Sequence, residues 1–148
     1  MVDADRAEAR IQRLEEKIEQ LEAVREQGED AYLADPKMRA MTERWLQIAI
    51  QICIDLGTQI GMEQSAPAPS SYSDVFKILG QNGVLPEELA ARLGEAARQR
   101  NLLVHLYMEV DDRAVFASLA WLDDLRQFAA ITEEMLTADD PGEPDPAG

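Results

Sequence analysis

Apolar residues recur at three- and four-residue spacing through Ala4, Ala7, Ile11, Leu14, Ile18 and Leu21, separated, apart from Ala9, by charged and amide side chains. That spacing lays one apolar stripe along a helix from about Ala4 to Arg25. Three heptads are short for a coiled coil, so the stripe is expected to pack onto the rest of the chain. Asp35-Pro36 predicts the start of a second helix. The carboxylate can cap free backbone N–H groups, and proline at the first helical position lacks only an N–H that has no partner there. This helix should reach about Met62. Its middle, WLQIAIQICIDLGTQIG, is apolar nearly all round. Such a helix is buried on several sides, either at the centre of a bundle or in a subunit interface.

SAPAPSSYS, Ser65 to Ser73, concentrates proline and serine and reads as a loop. A short helix is expected from about Ser73 to Leu79, ending at Gly80, with a turn at Asn82-Gly83. Pro86-Glu87-Glu88 then opens a fourth helix with acids in its first turn, where the helix dipole favours them. It continues through AARLGEAARQRNLLVHLY. Asp111 and Asp112 resemble the cap of a fifth helix, about Arg113 to Leu136. The stretch DDPGEPDPAG, Asp139 to Gly148, has nothing to bury and is expected to be disordered. The pattern therefore predicts an all-α, up-and-down bundle of about five helices over residues 1–137, followed by an acidic tail over 138–148. With 148 residues, 46% apolar and only 5% aromatic, the chain suits one helical domain with one core.

Charge narrows the function classes. A net charge of -15 opposes non-specific binding to nucleic acid, so any contact with RNA must be local. The charge is unevenly placed: Glu133 to Gly148 carries six acids and no base, whereas Arg92 to Tyr107 carries Arg92, Arg98 and Arg100 against Glu95 alone. Cys53 is the sole cysteine, which excludes an internal disulfide and suggests a small buried hydrophobe. No apolar run reaches the roughly 18 to 20 residues of a membrane span, and MVDADRAEAR lacks the apolar core of a signal peptide. A cytoplasmic protein with no membrane contact is expected. There is no Gly-rich phosphate loop, HExxH, nucleophile motif or cluster of metal ligands, so no metal and no cofactor are expected.

The remaining chemistry lies in RQRNLLVHLYMEVDD, Arg98 to Asp112, which holds the only histidine, His105. On a regular helix Arg100 and His105 project roughly 140° apart, and His105 and Tyr107 roughly 160° apart. Asn101 and His105, four residues apart, share a face, so the amide could orient the imidazole. Residue types leave two readings open. A lone histidine in an apolar helix is commonly structural. An imidazole that moves protons near neutral pH beside an arginine fork that grips phosphate suggests phosphoester chemistry. Metal-free RNA cleavage needs both a base and an acid, which one histidine cannot easily supply at once. A two-fold dimer would bring a second His105 and a second Arg100 across the axis. Asp55, in the apolar middle of the second helix with Gln47 and Gln51, is either a hydrogen-bonded structural carboxylate or support for such a site.

The segment RQRNLLVHLYMEVD resembles the R-x4-H-x-Y signature of HepT-like proteins, the HEPN-domain toxins paired with MNT-type minimal nucleotidyltransferase antitoxins. MTERWLQIAIQICIDLGTQI is similar to the long second helix of that family, SSYSDVFKILGQNGVLPEELAARL to its connecting segment, and VDDRAVFASLAWLDDLRQF to its last helix. The likeness covers about Met1 to Leu136. It implies a homodimeric HEPN bundle with a composite interface site and metal-independent ribonuclease activity, the toxin of a type II toxin–antitoxin pair. Arg100 and His105 would be catalytic, Asn101 supporting, and Tyr107 the tyrosine to which a partner nucleotidyltransferase adds AMP to silence the toxin. Arg98-Gln99 departs from relatives that often carry glycine and an aromatic there. A second reading within the same fold is a non-catalytic bundle that binds nucleotide or serves as the partner subunit of a nucleotidyltransferase.

Overall fold

The computed structural model describes residues 4–105 and 111–139, with the side chains of residues 100–105 and 139 outside that description. Among the described residues, helices follow one another with no strand: α1 Ala4–Gln27, α2 Glu29–Ala34, α3 Pro36–Glu63, α4 Tyr72–Gln81, α5 Glu87–His105, α6 Asp112–Ala117, a 3-10 turn Ser118–Trp121, and α7 Leu122–Asp139. The first four expected helices correspond to α1, α3, α4 and α5, α2 is a short helix that the apolar pattern does not single out, and the all-α reading holds. The tail expected to be disordered lies outside the described residues, except that α7 extends through Asp139.

The α1 stripe is buried at Ala7, Ile11, Leu14, Ile18, Leu21 and Val24. It packs on α3 and α7, so this helix closes the bundle rather than coiling with another. Gly28 separates α1 from α2 with φ 92, a left-handed conformation that glycine adopts without penalty. Asp35 then caps α3 as its sequence predicts, its carboxylate accepting from the backbone N–H of Lys37 at 3.0 Å and of Met38 at 3.2 Å. Pro36 stands at the first helical position.

α3 is the central helix. Leu46, Ala49, Ile50, Cys53, Leu56 and Ile60 are buried, and α1, α4, α5 and α7 pack around them. The apolar middle of α3 is thus covered largely by the chain's own helices. α4 begins at the Ser71 cap, where the hydroxyl accepts from Asp74 N at 3.2 Å and the Asp74 carboxylate accepts from Ser70 N at 2.9 Å. α4 and α5 approach closely: a Cβ added at Gly80 would sit 2.9 Å from the Ala90 Cβ. Phe76 of α4 meets Phe128 of α7 edge-on, centroids 5.9 Å apart, tying the two sides of the core together.

The last helix departs from expectation. One continuous helix was predicted over 113–136, but the chain forms α6, tightens into the 3-10 turn, and only then enters α7. Ser118 Oγ donates to the Ala114 carbonyl at 2.9 Å, the back-bonding that disturbs helices. Arg25, reaching from α1, donates to the Leu119 carbonyl at 3.3 Å, a second donor beside the Leu122 backbone N–H. Among the described residues no helix is long and apolar enough to cross a membrane.

Candidate functional site

α5 carries the candidate residues. Its early part is held by Leu89, Ala90, Leu93, Ala96 and Ala97, all buried, with α4, α3 and α7 packed against it. The helix runs through His105, so Arg100, Asn101 and His105 occupy its C-terminal end. In α-helical register the Arg100 and His105 positions are roughly 140° apart, whereas Asn101 and His105 stand about one turn apart on a common side. The side chains of these three residues, and Tyr107 altogether, lie outside the described residues. The chain is described again at Asp111, whose carboxylate caps α6 by accepting from Arg113 N at 3.1 Å and Ala114 N at 3.2 Å. Arg39 pairs with Asp112 at 3.4 Å and Arg113 with Glu29 at 3.2 Å, so the start of α6 is tied to α3 and α2.

A contact that the sequence does not reveal fixes α5 from the other side. Arg92 Nε donates to Asp124 Oδ1 at 2.9 Å, joining α5 to α7. The Asp124 side chain is 11% exposed and that of Arg92 47%, so the carboxylate depends on this partner more than the guanidinium does. Nothing local signals the pair, because an acid in the first turn of α7 is already accounted for by the helix dipole.

Other polar groups sort into structural roles. Asp55 accepts from the Gln51 amide at 2.9 Å within α3, the hydrogen bond that the structural one of its two readings calls for. Cys53 is fully buried, and burial pushes its thiol well above the ordinary range. It is therefore no thiolate nucleophile at neutral pH. Tyr32 is also fully buried, its ring 5.4 Å from that of Phe116, its hydroxyl without a hydrogen-bond partner. Burial first, then the carboxylates of Asp112 and Glu43, hold its phenol above its usual range. Among the described residues no group of three or more His, Cys, Asp or Glu side chains is placed to hold a metal ion.

Comparison with known proteins gives this helix its context. The family model described as HepT-like ribonuclease matches residues 14–134. A tRNA nuclease HepT of Aphanizomenon flos-aquae is 30% identical over 92 residues, 62% of this chain and 63% of that protein. An mRNA nuclease HepT of Shewanella oneidensis is 33% identical over 87 residues, 58% of this chain and 65% of that protein. The match thus spans a little under two thirds of each of these curated relatives. The tri-AMPylated Shewanella oneidensis HEPN toxin, solved in complex with an MNT antitoxin, superposes with a TM-score of 0.79 at 25% identity, covering 90% of this chain and 99% of that one. A toxin–antitoxin crystal structure with AMP-PNP gives a TM-score of 0.78 at 24% identity over 90% of this chain and 98% of that one, a likeness of fold. With the family model covering α5 and most of the helices that hold it, the chain belongs to the HepT-like ribonuclease family.

Proposed function

We propose that this chain is a ribonuclease toxin that cuts RNA without a metal ion, at a site composed across a two-fold homodimer. The observation that carries the reading is the placement of Arg100 and His105 at the C-terminal end of a single packed helix, within the segment the HepT-like family model matches. Arg100 binds the scissile phosphate through its guanidinium fork. One imidazole takes the proton from the ribose 2'-hydroxyl as the 2'-oxygen attacks phosphorus. An acid, the second His105 of the dimer, protonates the departing 5'-oxygen. The products are a 2',3'-cyclic phosphate and a 5'-hydroxyl, so protons and charge balance without a metal. Asn101, one turn before His105, orients the imidazole. The relatives' names, tRNA nuclease and mRNA nuclease, support RNA as the substrate class.

Regulation follows from the same relatives. The Shewanella oneidensis HEPN toxin was solved tri-AMPylated and in complex with an MNT antitoxin. By likeness, a nucleotidyltransferase of MNT type is the partner here, adding AMP to Tyr107 in a type II toxin–antitoxin pair that works in the cytoplasm. The strongly acidic charge favours a second reading, a non-catalytic bundle that serves as the partner subunit of such an enzyme. Light scattering coupled to an RNA cleavage assay tests the composite site. The active species should have twice the chain mass, and a stable monomer that still cuts RNA would refute it.

A further inference from the structure

Between α4 and α5 runs an open groove of about 460 Å³. Its floor is made of small residues: a Cβ at Gly80 would stand 2.9 Å from the Ala90 Cβ, and a Cβ at Gly94 would stand 3.5 Å from the Ser73 carbonyl oxygen. Lys77 and Gln81 line it from α4, Glu95 and Arg98 from α5. The register of α5 gives the groove a direction. Glu87, Gly94 and Arg98 line it, and His105 follows Glu87 by eighteen residues, five turns of helix, returning to the same side. Counted from Arg98, the His105 position is rotated by only about 20° and lies about 10 Å further along the axis. Arg100, by contrast, stands about 160° from Arg98. The groove therefore leads to the side of α5 that carries His105, and not to the side that carries Arg100.

Its charge is unusual for this molecule. In a chain of net charge -15, among the described residues Lys77 has no ion pair and Arg98 pairs only with Glu95, three residues earlier on the same helix. Both members of that pair are more than half exposed, 63% and 56%, so solvent screens it and it opens at little cost. Glu87 and Glu95 are the opposing acids at the groove. A ligand that reaches Arg98 must displace Glu95, whereas Lys77 is available as it stands.

Resting on the ribonuclease reading, we infer that this groove holds the single-stranded RNA flanking the cut, with Lys77 and Arg98 on backbone phosphates and Gln81 hydrogen-bonding to ribose or base. A strand lying there reaches the His105 side of the helix, while Arg100 of the opposite side meets the scissile phosphate from elsewhere in the dimer. Single-stranded RNA is favoured because its backbone can follow a narrow channel and its bases can splay out from a stack.

The test uses three exposed-residue variants of the full chain, Lys77→Ala, Arg98→Ala and Glu95→Gln, each checked by thermal melting. Steady-state cleavage of unfractionated RNA gives KM and kcat. Anisotropy of a labelled 2'-O-methyl strand, which cannot be cut because its attacking hydroxyl is blocked, gives the salt dependence of binding. Lys77→Ala and Arg98→Ala should each raise KM severalfold with kcat unchanged, and each should flatten the slope of log affinity against log salt by about 0.7. Glu95→Gln should act in the opposite direction, lowering KM by freeing Arg98. Unchanged KM and slope in all three, with wild-type cleavage intact, overturns the groove alone. RNA neither cut nor bound by the wild-type chain overturns the ribonuclease reading and the groove together.

Discussion

His105→Ala should abolish RNA cleavage by the purified chain while leaving its helical content and melting temperature close to wild type. Removing a proton-transfer group costs about 10²- to 10⁴-fold in rate, and in the proposed homodimer both copies would vanish at once. Arg100→Ala should fall in the same range, through loss of phosphate binding. A structural histidine behaves otherwise. Its removal costs roughly 1 to 3 kcal/mol through lost packing and an orphaned hydrogen bond, and activity declines only as the protein unfolds. Melting curves and cleavage rates measured on the same samples separate the two outcomes. A variant that is destabilised yet fully active per folded molecule contradicts the catalytic role.

Tyr107→Phe should block AMP addition by the partner nucleotidyltransferase completely while preserving the fold. The change keeps the ring and removes only the hydroxyl oxygen that would attack the α-phosphate of ATP and release pyrophosphate. The other two tyrosines set the controls. Tyr32 is fully buried beside Phe116, so its hydroxyl cannot meet a transferase without opening the α2–α6 contact. Tyr72 opens α4 and is 41% exposed, which makes it the accessible competitor. Mass spectrometry of co-expressed wild-type chain should place the adduct on Tyr107. An adduct on Tyr72, or none while the partner still neutralises growth arrest, leaves occlusion by the partner as the better mechanism.

Much of the fold was legible because its signals are local. The α1 stripe predicts which residues become buried, since a helix pressed on one side must carry its apolar residues on that side. Asp35-Pro36 places the start of α3 to the residue, because cap and first turn are neighbours in sequence. The all-round apolar middle of α3 is legible as buried but ambiguous as to what buries it. The chain's own α1, α4, α5 and α7 supply most of the cover, which weakens that stretch as an argument for a dimer and leaves the single histidine as the stronger one.

Other features are set by contacts between distant residues, and a periodic pattern does not carry them. At the break over Ser118–Trp121, Arg25, 94 residues earlier in the chain, donates to the Leu119 carbonyl. The Arg92–Asp124 pair that steadies α5 spans 32 residues and joins two helices whose charges look ordinary when read alone. The groove along α4 and α5 arises because Gly80 and Gly94 let the two helices pack closely, and neither glycine announces its partner in the sequence. The candidate chemistry was legible for the opposite reason: Arg100, Asn101, His105 and Tyr107 fall within eight consecutive residues.

Incubating the purified chain with RNA in excess chelator and identifying the product ends tests the central claim most directly. Cleavage that survives chelation and leaves 2',3'-cyclic phosphate with 5'-hydroxyl is the predicted result. Activity lost on chelation, or products bearing 5'-phosphate, contradicts metal-free cleavage by Arg100 and His105.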